Sequence, residues 1–207
     1  QGDIAQGPLQ KNIYHDDSVE AFNYNPKKAE QLLEQDGWTK GSDGYYEKNG
    51  ERLSFELTVS ENQQERLDLA TIAAQQLKEI GVECIINVTA NVDWDNQVAY
   101  LIGWGSPFDA DDHTYKVFGT NKGSNYNYYS NAAVDQYLTA ARQTTDEEKR
   151  AEMYSKFQHA LADDPAYSFL VYLDANYVAK SSITGISTST VLGHHGVGIF
   201  WNIEQWD

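Results

Sequence analysis

Leu53-Ser54-Phe55-Glu56-Leu57-Thr58-Val59 alternates apolar and polar residues, the pattern of a strand with one wet face. After it the period lengthens. Leu67, Ala70, Ala74 and Leu77, with Ile72, Ala73 and Ile80 beside them, form the apolar stripe of a helix, and Gly81 is placed to take the left-handed turn that closes it. Val82, Cys84, Ile86 and Val88 then restore the alternation. Residues 53–88 therefore read strand, helix, strand, the unit from which parallel sheets are built, and this sets the fold class as α/β.

Upstream, residues 1–23 show no clear period and read as an irregular lead-in. Tyr24-Asn25-Pro26-Lys27-Lys28-Ala29 is a helix start, with Asn25 as N-cap, Pro26 in the first helical position and Tyr24 set to staple against Ala29. Ala29, Leu32 and Leu33 share a face, Gly37 ends the helix, and Trp38 is expected to pack back on it. Asn49-Gly50, after Tyr45 and Tyr46, predicts a tight hairpin.

Downstream, residues 98–102 (Val-Ala-Tyr-Leu-Ile) read as a short buried strand. It runs into Gly103-Trp104-Gly105-Ser106-Pro107-Phe108-Asp109-Ala110-Asp111-Asp112-His113, a Pro-broken loop crowded with carboxylates. Ligands collect at such carboxyl ends of strands in α/β sheets. The structural alternative is that Asp111 or Asp112 caps a helix beginning near His113. Farther on, Ser130 or Asn131 caps a helix over 132–142, and Thr145-Asp146-Glu147-Glu148 is a capping box for a longer one. Ala151, Tyr154, Phe157 and Leu161 line the buried side of that second helix, which Asp164-Pro165 stops. Residues 167–173 and Ile199, Phe200, Trp201 and Ile203 suggest two more strands, and 181–190 a loop. No internal boundary is marked, so one α/β domain is the economical reading.

The formal net charge of −16 argues against nucleic acid or an anionic membrane surface as partner, because like charges repel. A hydrophobic content of 41% is enough for a real core. The one cysteine, Cys84, cannot form an internal disulfide and reads as an inert buried thiol. The first residues lack the basic and apolar parts of a signal peptide, and the start without Met reads as the middle of a longer protein.

Among the five histidines no pair has common metal-ligand spacing. His113, with Asp109, Asp111 and Asp112, makes an oxygen-rich metal site conceivable, yet the glycine and terminal glutamate of a calcium loop are missing. His194-His195 belongs to a glycine-flanked loop. Asp109 and Asp112 would be the acid and base of a carbohydrate-active enzyme. No nucleophile elbow, phosphate-binding loop or zinc-protease motif accompanies them. The aromatics Tyr126, Tyr128, Tyr129, Tyr137 and Trp201 are either packing residues or the walls of a cleft.

The order of these signals resembles the C-terminal lobe of the family 5 extracellular solute-binding proteins that feed ABC importers of peptides and nickel. The helix start at Tyr24 to Trp38, the strand, helix, strand core, the Gly103-Trp104-Gly105-Ser106-Pro107-Phe108-Asp109 loop, and Tyr129-Ser130-Asn131 through Tyr154 carry the likeness. The resemblance implies one lobe of a class II (type C) periplasmic-binding-protein-like fold, a mixed sheet flanked by helices, spanning residues 1–207. An N-terminal lobe of the same protein would supply the other wall of the cleft.

The implied function is capture of oligopeptides or dipeptides for a membrane ABC permease, with no catalytic residue, no metal ligand and no cofactor. The setting would be the outer face of the cell membrane, lipid-anchored, or the periplasm. Trp104 and Phe108 would give apolar walls, and Asp109 the charge that meets a cationic ligand group. In peptide-binding members an Asp three residues after the loop Trp takes the ligand's amino group; here Pro107 stands there, and Asp109 is the nearby substitute. The Trp-Gly-Ser-Pro-Phe-Asp version is closer to nickel-type members, which use a later His where this chain has Gly119-Thr120-Asn121-Lys122. A nickel or other metal chelate that needs no protein His is the alternative ligand.

Overall fold

The structure, a computed structural model, describes residues 2–20, 22–104, 109–174, 176–187 and 198–207. In chain order its elements are β1 (Gly2–Ile4), α1 (Pro26–Gln35), β2 (Thr39–Lys40), β3 (Tyr46–Lys48), β4 (Glu51–Arg52), β5 (Ser54–Ser60), α2 (Gln64–Glu79), β6 (Glu83–Thr89), β7 (Ala99–Tyr100), α3 (Ala110–Phe118), α4 (Ala132–Gln143), α5 (Glu147–Asp163) and β8 (Val171–Leu173). A 3₁₀ segment, Gly198–Gln205, follows. They fall into two compact units, Asn23–Gly103 and the paired segments Gln1–Phe22 and Trp104–Asp207.

In the Asn23–Gly103 unit, β5 is the centre of a parallel sheet of order β6-β5-β7. The β5–β6 register runs from Ser54↔Glu83 to Ser60↔Thr89, so Leu57 and Val59 share a face with Ile86 and Val88. Helix α2 packs on these strands, burying Val59 and Ala70 completely. Fully burying one such valine contributes about 1.5–3 kcal/mol. Glu56 and Asn87 are cross-strand partners on the wet face, bonded at 2.8 Å. The thiol of Cys84 on β6 is half-buried, and burial pushes its pKa up, which suits an inert side chain.

The helix ends follow the sequence closely. Asn25 caps α1, its side chain accepting the Lys28 N–H at 3.0 Å. Beyond α1, Gly37 and Trp38 donate to Glu34 and Leu33, and beyond α2, Gly81 and Val82 donate to Lys78 and Leu77. Each pair is a Schellman closure around a left-handed glycine. At Gly81 the requirement is double: φ is +88°, and a Cβ there would meet the Gly44 carbonyl at 2.5 Å. Asn49 and Gly50 both take positive φ, giving the β3–β4 hairpin its tight turn. Tyr24 does not staple the helix; it is largely exposed, as is Leu32. The strand expected over 98–102 shrinks to Ala99–Tyr100, with Val98 left in solvent.

In the second unit α3, α4 and α5 enclose Val117, Phe118, Val134, Leu138, Ala141, Tyr154, Phe157 and Leu161. Asn131 caps α4, accepting from Ala133 and Val134. The cap of α5 is Asp146, not Thr145: its carboxylate accepts the Lys149 N–H at 3.1 Å, while Thr144 Oγ1 accepts the Asp146 N–H. The buried side carries Tyr154, Phe157 and Leu161 as expected, while Ala151 faces solvent and Arg150 is partly buried on the same side. Of residues 167–173 only Val171–Leu173 forms a strand, paired antiparallel with β1 inside the lead-in. Ile199 to Ile203 lies in the 3₁₀ segment, not a strand. Asn202 there bonds the Gly185 carbonyl and the Trp206 indole, and Thr184 and Asp207 exchange backbone bonds, so the local partners favour a compact turn. Among the described residues no helix is long and apolar enough to cross a membrane.

The lead-in is fastened to α5. Asp16 accepts the Ser155 hydroxyl at 2.5 Å and both the hydroxyl and N–H of Ser18, while Gln158 donates to the Tyr14 carbonyl at 2.8 Å. The Ser155 bond first, then those from Ser18, hold the Asp16 carboxyl far below the usual carboxylate range, against the opposing effect of burial. A depressed folded pKa adds stability that is present above about pH 4 and fades as acid approaches the folded value. Asp16→Asn is therefore expected to cost about 1.5–3 kcal/mol at pH 7, and the gap from the unsubstituted protein should narrow in urea unfolding below about pH 3. A gap that stays constant with pH would mean the charge contributes nothing.

Candidate ligand-binding site

Helix α3 begins at Ala110 because Asp109, not Asp111 or Asp112, is its N-cap. The Asp109 backbone is extended, and Oδ1 accepts the Asp111 N–H at 2.8 Å. The same oxygen accepts from Arg150 Nη2 at 2.6 Å, a charge-assisted bond reaching from α5. The Asp111 N–H first, then Arg150, hold the Asp109 carboxyl below its usual range despite partial burial. Burial works against the charge of Arg150, and the bonds and charges of Asp109 and Tyr154 together outweigh it, leaving the guanidinium more firmly protonated than usual. Arg150 also lies over the rings of Tyr14 and Tyr154, 5.5 and 5.6 Å from their centroids.

Asp111 behaves oppositely. Burial pushes its carboxyl up, the neighbouring Asp109 charge adds to that, and Arg142, 3.1 Å away, only partly offsets it. Arg142 in turn stacks 3.9 Å from the Tyr115 ring centroid. The acidic corner is thus interleaved with arginines from α4 and α5, and its net field is weaker than the sequence implies.

Trp104 packs against the helical core and stacks on Tyr126, ring centroids 6.1 Å apart and planes 14° apart, with His113 tilted against it at 6.0 Å. Its indole Nε1 is buried and has no hydrogen-bond partner among the described residues. Trp104 and Asp109 therefore belong to one unit, held by Tyr126 and Arg150 respectively. Phe108, the second expected wall, lies outside the described residues, as do Pro107 and His194-His195. Of the other aromatics, Tyr129 is structural: it donates to the Asp164 carbonyl at 2.9 Å, and burial with the Asp164 charge pushes its phenol up to about 12. Tyr137 packs on the core.

The catalytic constellations fare differently from the apolar wall. Asp109 caps a helix and binds Arg150, while Asp112 pairs with Lys116 at 3.0 Å, so the two carboxylates of the acid–base reading are each engaged elsewhere. Ser18, His159 and Asp16 come together by folding, yet Ser18 Oγ and Asp16 Oδ2 both approach the same nitrogen, Nε2, at 3.3 and 3.5 Å. A relay needs one partner on each side of the imidazole. Among the described residues no three His, Cys, Asp or Glu side chains are placed to hold a metal ion.

Arg150 is the site residue that sequence reasoning missed. Its signal was present: with Tyr154, Phe157 and Leu161 it follows i, i+4, i+7, i+11 spacing, so a cation sits on an apolar face and needs a carboxylate partner.

Comparison with known proteins agrees with this architecture. Residues 1–126 match the family described as bacterial extracellular solute-binding proteins, family 5 Middle, and the chain belongs to that family. It is 31% identical to the oligopeptide-binding protein AppA of Bacillus subtilis, over 98% of this chain and 38% of that one. A dipeptide-binding protein of Pseudomonas aeruginosa is 24% identical over 84% of this chain and 33% of its own length. Among solved structures, NikZ from Campylobacter jejuni in complex with Ni(L-His) superimposes with a TM-score of 0.89 at 36% identity, covering 100% of this chain and 43% of that chain. AppA from Bacillus subtilis in complex with a nonapeptide gives 0.77 at 26% identity, covering 100% and 42%. The chain thus spans less than half the length of these relatives.

Proposed function

We propose that this chain is the C-terminal lobe of a substrate-binding component of an ABC importer, which captures oligopeptides or dipeptides outside the cytoplasm and presents them to a membrane permease. The observation that carries the reading is the whole-chain likeness to a peptide-binding relative, joined to an indole held by Tyr126 beside a charged corner. No covalent step is assigned to the lobe. Trp104, with Phe108, supplies apolar wall; Asp109, shared with the α3 backbone and Arg150, supplies a partly neutralised carboxylate. The remaining lobe of the same protein closes the cleft, excluding water and strengthening each polar contact. The setting is the outer face of the cell membrane, held by a lipid anchor, or the periplasm.

A second reading, capture of a nickel or other metal chelate, is favoured by two observations. The chain is 36% identical to a protein solved with Ni(L-His), and a carboxylate already paired with Arg150 has less pull on a peptide's free amino group. Native mass spectrometry of the full-length gene product, purified without refolding, separates the two. A ladder of carried peptides is expected; a single small mass that disappears with chelator would favour the metal reading, and a bare protein that binds neither would overturn both.

A further inference from the structure

We propose that Arg150 is a specificity-determining residue: it makes Asp109 an acceptor for a neutral N–H, such as a peptide amide, in place of a free ammonium. The proposal rests on the solute-capture reading above. Both bonds that hold Asp109 within the fold, from the Asp111 N–H and from Arg150 Nη2, fall on Oδ1. The Asp109 side chain is 54% exposed, so Oδ2 is the oxygen that a solute can reach. A solute that reaches it meets a carboxylate whose charge is already matched. A neutral donor needs only a lone pair of that oxygen, whereas an ammonium depends on net negative charge and also meets the guanidinium as a like charge.

The guanidinium is fastened where it is. Tyr14 and Tyr154 stack with centroids 5.0 Å apart, and Arg150 lies over both rings. Gln158 holds the Tyr14 carbonyl, and Asp16 ties the same stretch of chain to Ser155. A planar fork held in this way has less freedom to swing aside for a solute than a lysine ammonium has. The matching of charge also extends across the corner. Asp111 pairs with Arg142 at 3.1 Å and Asp112 with Lys116 at 3.0 Å. With 15 Lys and Arg to 31 Asp and Glu, fewer than half of the carboxylates in this chain can each have a basic partner of their own. All three at this corner have one. Recognition of an ammonium calls for a carboxylate with unmatched charge, and Asp109, Asp111 and Asp112 offer none. Trp104, which rests on α3 through His113, adds apolar surface and no charge. Neutral N–H groups recur along every peptide, so a site of this kind reads main chain and tolerates a blocked terminus.

The test uses the full-length protein and one pool of synthetic nonapeptides in two forms, free and N-acetylated, with nickel(II) in excess L-histidine as a separate probe. Affinity is read by calorimetry. The unsubstituted protein is expected to bind the free form no more than about threefold tighter than the acetylated one. Arg150→Met keeps a stem across the tyrosine rings but removes the charge, and is expected to favour the free form by about tenfold or more. Arg150→Lys, which keeps the charge, should stay near equal binding. An arginine that serves only the fold would weaken both forms alike and leave their ratio untouched in Arg150→Met, and that result overturns the proposal. A larger preference for the free form in the unsubstituted protein overturns it as well, and decides the matter even where Arg150→Met does not fold. Binding of nickel–histidine with neither peptide form bound also overturns it, while capture of a chelate stands. Binding of no probe at all overturns the solute-capture reading itself.

Discussion

Phe157→Ala should lower the unfolding free energy by about 3–5 kcal/mol, the largest stability effect expected of a single substitution here. Phe157 is fully buried on α5, and its ring meets Phe118 of α3 at 5.6 Å between centroids. Phe118 is itself surrounded by Tyr167 and Phe169, at 5.8 and 6.4 Å. Truncation removes both the transfer free energy of the ring and its contacts, and the aromatic neighbours are too large to collapse into the space. The unit that loses this stability is the one that carries Trp104, Asp109 and Arg150. Urea unfolding followed by tryptophan fluorescence measures the loss directly; a cost below about 1.5 kcal/mol would mean that the α3–α5 contact can repack, and that the site does not depend on this core.

What the sequence made legible was local chemistry with a fixed spacing. Asn25 and Pro26 started α1, Gly37 and Gly81 closed α1 and α2, and Asn49-Gly50 turned the hairpin, because each depends on backbone geometry that few residue types satisfy. The alternation over 53–59 and 82–88 gave a parallel pair because one face of each strand had to be buried under the helix between them. Where several residues could fill the same role, reading failed by a residue or two. Asp109 took the cap for which Asp111 and Asp112 were the candidates, and Asp146 took the one assigned to Thr145. The apolar run at Ile199 to Ile203 had the composition of a strand, but among the described residues no strand lies beside it to complete a ladder.

The site was legible in part for the same reason. Trp104 and Asp109 stand out in the chain as an indole and a carboxylate at a Pro-broken strand end. Arg150, 41 residues farther along, joins Asp109 only through the packing of α5 against α3, and no short-range pattern encodes that. It makes Asp109 half of an ion pair rather than an isolated charge. The sequence marks Arg150 as a cation on the apolar face of α5; that its partner is Asp109 follows only from the folded structure.

Substitution of Trp104 should have the largest effect on binding. Trp104→Ala in the full-length protein is expected to weaken ligand binding by about 2–4 kcal/mol, the range of a buried aromatic anchor, but it also removes the Tyr126 stack and a piece of the core. Trp104→Phe separates the two effects. The phenyl ring keeps an aromatic face toward Tyr126 and drops the indole Nε1, which is buried without a partner among the described residues, together with two ring carbons, a much smaller loss of packing than in Trp104→Ala. Removing an unsatisfied buried donor should leave the unfolding midpoint unchanged or slightly higher, since its desolvation penalty is relieved. If that N–H instead finds its acceptor in the solute, Trp104→Phe will lose roughly 1–2 kcal/mol of affinity at undiminished stability. Parallel calorimetry and thermal unfolding on the two variants therefore decide whether Trp104 serves the ligand or only the fold: affinity that tracks stability in both would take the indole out of the site, and with it the apolar wall on which the proposed capture of a solute depends.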